Sequence, residues 1–121
     1  MNVPSASPIP PGALASSTAL TTALAAQPAG VVAVFPEPAG APYYQQLPPG
    51  GTAKLRAMQA VVKGCVQWVP LGQPASFGLV CNEEGLYVFA RDNGAASALL
   101  GQHVHGGKLR GPVFVIRNAD M

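Results

Sequence analysis

The sequence predicts an α+β fold: a single small domain whose mixed or antiparallel sheet has about five or six short strands. Three observations carry this expectation. Apolar runs of strand length recur at Val31–Phe35, Cys65–Leu71, Phe77–Cys81, Leu86–Ala90 and Pro112–Ile116, each bounded by turn residues. Two stretches between them, Ala53–Val62 and Asn93–Leu100, carry helix signals, and both helices are expected on one face of the sheet. At 121 residues the chain is long enough for one ordinary domain and too short for two.

Residues 1–30 contain no charged side chain and consist mostly of Ala, Pro, Ser and Thr. Such a segment has little bulk to bury against the entropy of ordering it, so it reads as a disordered low-complexity tail preceding a domain over 31–121. Docking of Ala13–Ala26 as a helix is the alternative, but Leu14, Leu20 and Leu24 make a poor stripe. A targeting signal is not expected, because the first basic residue is Lys54. No uninterrupted apolar run reaches the roughly 18 residues of a membrane span.

Val31–Phe35 reads as a strand ended by Pro36-Glu-Pro38. A turn at Ala39-Gly40-Ala41 leads to Pro42–Leu47, a polar-faced edge strand, where a proline without an N–H is tolerated. Thr52 is placed to cap the first helix, whose Leu55, Met58 and Val62 share one face, with Gly64 as its left-handed stop. Cys65–Leu71 is the next strand, with Gly72–Ser76 as a loop. Phe77–Ala90 reads as a β-hairpin turning at Asn82-Glu83-Glu84-Gly85. Asp92 is placed to cap the second helix, which Gly101 stops. A basic, Gly-rich loop, Gly106–Gly111, then leads into Pro112–Ile116, apolar enough to be buried on both faces near the sheet centre.

In this order the chain resembles the domain-of-unknown-function family 3846, small proteins of phages, bacteria, algae and large DNA viruses. The likeness runs from Val31 to about Asn118. It rests on Leu55-Arg-Ala-Met-Gln59 leading to Val62-Lys-Gly-Cys65, on Val80-Cys-Asn-Glu-Glu-Gly85, on Asn93 with Ala95, and on Gly111-Pro-Val-Phe-Val115. Two positions depart from the family pattern: Lys63 precedes Gly64 where the family tends to carry Gly-Gly, and Gln67 stands near where it carries an acid. The resemblance implies the fold and an accessory role during infection or in a host genome; it implies no biochemical activity.

The candidate chemistry is sparse. Glu83 and Glu84 form the acidic pair; in a turn both are solvated, with a ligand or partner contact as the sharper reading. His103 and His105 read as loop histidines, since zinc needs further ligands at matching spacing. No cofactor is implied. Gly101–Lys108 fails the Walker spacing, leaving a looser anion contact by Lys108 and Arg110. Cys65 and Cys81 read as buried free thiols, which favours a reducing, cytoplasmic setting.

Charged residues make up only 10% of the chain and the net charge is +2, too little to imply nucleic acid by itself. The leading functional expectation is a small non-enzymatic interaction or regulatory protein with a protein partner, contacting it through Asn82, Glu83, Glu84, Lys108 and Arg110. A nucleic-acid module using Arg91, Lys108, Arg110 and Arg117 is the second reading. An enzyme with a pocket lined by Asn82, Glu83, His103 or His105 is the third. A homodimer through the Pro42–Leu47 edge is compatible with the pattern.

Overall fold

The computed structural model describes residues 7–36, 40–71, 76–104 and 107–121. Six strands, β1 (Ser7–Pro8), β2 (Val31–Phe35), β3 (Tyr43–Gln46), β4 (Val66–Leu71), β5 (Phe77–Asn82) and β6 (Val113–Arg117), form one sheet in the order β1-β3-β2-β6-β5-β4. Every pairing is antiparallel. The helices are α1 (Ser17–Ala25), α2 (Gly51–Val62), the one-turn α3 (Gly85–Val88) and α4 (Gly94–Leu100). The expected α+β class, antiparallel sheet and strand count are therefore present.

The helices do not share a face. Val32, Val34, Phe114, Ile116 and Val80 point to one side of the sheet, where Met58 and Val62 of α2 cover them. Ala33, Phe35, Val113, Val115 and Leu79 point to the other, beneath Leu20 and Leu24 of α1 and Ala96 and Leu100 of α4. The physical reason lies in β2 and β6. Both are apolar at successive positions, so both faces need cover, and one helical layer supplies only one.

That second layer corrects the boundary at Val31. Residues 1–6 of the expected tail lie outside the described residues, but within residues 7–30 the chain forms β1 and α1. β1 pairs with β3, and Ile9 donates its N–H to Pro42 O at 3.2 Å. Ser16 caps α1 by accepting the Ala19 N–H at 3.0 Å, and Leu20 and Leu24, one turn apart, are fully buried. At the other end Arg117, from the last residue of β6, donates to the carbonyls of Ala25, Gln27 and Pro28 while paired with Asp120. A cation on the C-terminal carbonyls complements the helix dipole. Two leucines suffice because Ala elsewhere lets the helix lie close to the sheet. Pro42–Leu47 is a strand as expected, though β1 covers part of its outer edge, and the sheet's other edge is β4.

The expected hairpin at Phe77–Ala90 is also corrected. Its first arm is β5, but β5 already has β4 on one side and β6 on the other. A strand has two edges, so no place remains for a second arm, and the chain turns into α3. The expected caps shift as well. Thr52 lies inside α2, whose N-cap is Gly50, and the left-handed residue at its end is Lys63 (φ 60°), not Gly64. Asn93, not Asp92, caps α4. Its Oδ1 accepts the Ala96 N–H at 3.2 Å, while its Nδ2 donates to Phe35 O and Gly111 O, both at 2.9 Å. A carboxylate accepts but cannot donate, so Asp at this buried place would leave both carbonyls unmatched. Glu37, Pro38 and Ala39 at the start of the expected turn, Gly72–Ala75 of the next loop, His105 and the first residue of the basic loop, Gly106, lie outside the described residues.

If α1 is part of the domain, Leu24→Ala is expected to lower unfolding stability by about 2–5 kcal/mol, the usual cost of a large-to-small core change. Urea denaturation followed by Trp68 fluorescence measures it. An unchanged midpoint contradicts the docked helix.

Candidate functional site

A cleft of about 300 Å³ opens on the α1/α4 face of the sheet, over the outer strands β4 and β5. Its floor is apolar, from Val69 on β4, Cys81 on β5 and Leu109. Around it stand Glu83, Tyr87, His103, Lys108 and Arg110. Four separate segments thus deliver polar groups to one concavity: the turn after β5, α3, the turn Gly101–His103 that follows α4, and the lead-in to β6.

Each segment has a local reason to sit there. Leu109 is buried and held by Ser97 of α4, whose hydroxyl accepts the Leu109 N–H at 2.9 Å and donates to its carbonyl at 3.1 Å. That pins the backbone between Lys108 and Arg110. Arg110 then forms an isolated antiparallel bridge with Asp92, and its Nε donates to Asp92 Oδ1 at 2.9 Å. Both side chains of this pair are over 30% exposed (32% and 41%), so solvent screens it and its part is positional. Among the described residues Lys108 has no ion-pair or hydrogen-bond partner.

Asn82 lines the cleft but its polar atoms are engaged elsewhere. Nδ2 donates to Val62 O and Lys63 O, each at 3.1 Å, closing the C-terminal end of α2. Oδ1 accepts the Glu84 N–H at 2.8 Å, forming the turn that leads into α3. This network also explains Gly64: a Cβ there would stand 2.5 Å from Asn82 Nδ2. Asn82 is thus a joint between α2, β5 and α3: both of its N–H donors are spent on α2 and its oxygen is fixed by the turn.

Of the five residues expected to contact a partner, Asn82, Glu83, Lys108 and Arg110 meet at the cleft, while Glu84 is exposed outside its lining. His103 joins them. The third reading required Asn82, Glu83 and His103 to share a concavity, and they do; with Asn82 committed, two side chains remain for chemistry. Cys81 adds a thiol whose pKa burial pushes up, which disfavours the nucleophilic thiolate. The basic set is divided: Lys108 and Arg110 line the cleft, whereas Arg117 clamps the end of α1.

Sequence reasoning named Tyr87 only among aromatics for stacking on nucleic acid and placed it in a hairpin arm; α3 carries it, with 89% of its surface exposed. It also expected two buried thiols; both are free, yet Cys65 is exposed and only Cys81 is half-buried. Among the described residues no group of three or more His, Cys, Asp or Glu could hold a metal. No described helix is long and apolar enough to cross a membrane. Compared with protein-family models, curated proteins and solved structures, the chain matches none of them.

This geometry has two measurable consequences. Asn82→Asp keeps the acceptor for Glu84 but turns a carboxylate oxygen toward two carbonyls, and is expected to cost about 2–4 kcal/mol at pH 7. Those carbonyls raise the new carboxyl's folded pKa, so protonation favours the folded state and the loss shrinks as pH falls toward 4. Urea unfolding at both pH values checks the sign. Separately, Cys81 in a Cys65→Ser background is expected to react with a disulfide reagent at pH 8 about tenfold more slowly than Cys65 in a Cys81→Ser background. Equal rates contradict the burial of Cys81.

Proposed function

We propose that this protein is a small non-enzymatic interaction module, accessory or regulatory in role, that binds a protein partner through the cleft over β4 and β5. One concavity combines an apolar floor, a Lys108 cation that is in no ion pair among the described residues and an almost fully exposed Tyr87, and that combination carries the reading. Recognition surfaces have this composition: an apolar centre, a polar rim and an aromatic anchor. Val88, beside Tyr87 on α3, is 58% exposed and extends the apolar surface outward. Covering two such side chains with a partner removes apolar area from water at roughly 25 cal/mol per Å².

The resemblance to family 3846 supports an accessory role, and the free thiols support a cytoplasmic setting. The nucleic-acid reading loses support because Arg117 is committed to α1 and Arg110 to Asp92. Strand–strand homodimerisation through β3 loses it because β1 lies along that strand's outer edge.

Panning a random peptide library on the full chain, followed by calorimetry, tests the proposal. The expected result is enrichment of peptides that bind the wild type and lose tenfold or more affinity to Tyr87→Ala. A parallel titration with a single-stranded oligonucleotide across a salt series addresses the second reading. Oligonucleotide binding that falls steeply with salt and vanishes in Lys108→Ala, with no peptide enriched, overturns the proposal in its favour.

A further inference from the structure

The sheet ends at β4, and the outer edge of that strand pairs with no described strand. The register determines which backbone groups face outward. Cys65 stands opposite Glu83, whose N–H it accepts at 2.8 Å, and the β4–β5 pairing continues with Gln67 opposite Cys81 and Val69 opposite Leu79. Antiparallel pairs alternate between bonded and non-bonded, so Cys65, Gln67, Val69 and Leu71 bond inward and Val66, Trp68 and Pro70 present their groups outward. Pro70 falls on the outward set, where its missing N–H costs the β4–β5 ladder nothing. The open row is therefore the N–H and C=O of Val66 and Trp68 with the C=O of Pro70.

Natural edges are commonly blocked by charges, particularly lysine. Val66–Leu71 carries none. On the α2 face the edge instead displays Trp68, 40% exposed, whose indole is seated over Gly78; a Cβ at that position would overlap the indole Nε1. On the opposite face Gln67 and Val69 line the cleft, together with Lys108. An added strand would alternate its side chains between these two environments, every second one lying beside the cleft.

We propose, resting on the interaction reading above, that β4 receives an extended segment of a protein partner as an additional strand, with an Asp or Glu side chain of that segment directed to Lys108. Charge selects this occupant over a second copy of the chain. Pairing of β4 with β4 of another copy would place only Val66–Leu71 against the edge, a run without an acid, and would leave Lys108 outside any ion pair. An acidic segment supplies an ion-pair partner for Lys108.

The test uses the full chain and a pool of ten-residue peptides with alternating Val and Thr around a central glutamate, plus pools with glutamine or lysine in its place. Trp68 is the only tryptophan, so its emission reports occupancy of the edge directly. The glutamate pool is expected to bind about tenfold more tightly than the glutamine pool, a preference that disappears in Lys108→Ala. N-methylation of a binding peptide is expected to abolish binding at alternate residues only, and the Val66 and Trp68 amides are expected to exchange at least tenfold more slowly in the complex.

Binding without that alternation and without amide protection overturns strand addition, while leaving the cleft as a binding site. Absence of any Trp68 or amide response to the pools, when library-selected peptides still depend on Tyr87, does the same. Failure of every peptide, selected or pooled, overturns both readings. Amide protection that appears without peptide and grows with protein concentration assigns the edge to a second copy and overturns the proposal.

Discussion

Two neighbouring strands without a polar face set the terms for this molecule. Val31–Phe35 and Val113–Ile116 are buried at every position, and they lie side by side. Each large apolar side chain on them contributes on the order of 1.5–3 kcal/mol when taken out of water, but only if something covers it. A sheet with one wet side cannot accommodate such a pair. Helical cover on both sides is therefore a requirement of the two central strands, and the remaining elements are arranged to supply it: α2 on one side, α1 and α4 on the other. An Ala-rich segment with few leucines becomes a structural element because the strand face beneath it would otherwise be exposed.

Covering both faces creates joints where backbone groups are buried between layers, and two asparagines occupy them. Asn93 links the start of α4, the end of β2 and the lead-in to β6. Asn82 links the end of α2 to the turn after β5. Both positions need one acceptor and two donors from a single short side chain, a set that Asn has and that Asp or Ser lacks. In each case the orientation of the amide is dictated by its neighbours, since an N–H must meet oxygen and carbonyls must meet nitrogen. The burial of these two polar residues thus reflects complete satisfaction of their groups, and no buried side-chain polar atom among the described residues lacks a partner.

How much could be read from the residues depends on the range of the interactions involved. β2, β6 and the Met58–Val62 face of α2 were legible because apolar periodicity is local. The double-sided burial of Pro112–Ile116 was legible for the same reason, whereas the identity of the helices that cover each face depends on contacts distant in sequence. The hairpin failed even though Asn82-Glu83-Glu84-Gly85 has turn chemistry and does form a turn. The path of the chain beyond that turn depends on whether β5 has a free edge, which is decided by β4 and β6. The role of Arg117 was equally hidden: it acts on carbonyls about 90 positions earlier in the chain (|i−j| of 89 to 92). At the cleft, grouping Lys108 with Arg110 was within reach of sequence adjacency, whereas Tyr87 reached the rim only through the helical turn that replaced the expected strand.

The position of the cleft is itself a consequence of the central constraint. Cover is concentrated over β2 and β6, where the apolar density is greatest, and it thins toward β4. There the sequence changes character: β4 carries Gln67, Trp68 and Pro70 where Val31–Phe35 and Val113–Ile116 carry only aliphatic and aromatic residues, and all three are exposed. Its inner neighbour β5 still needs partial shelter for Leu79 and Cys81, which the Leu109 segment and the turn after α4 provide without closing over the strand. A partly roofed, partly open region at a sheet edge results, with an apolar floor inherited from the core and charged residues drawn from the loops that roof it. Ser97 ties the backbone at Leu109, and Asp92 the side chain of Arg110, beside this opening. The half-covered edge is thus the part of this fold where binding surface arises at the least cost to stability.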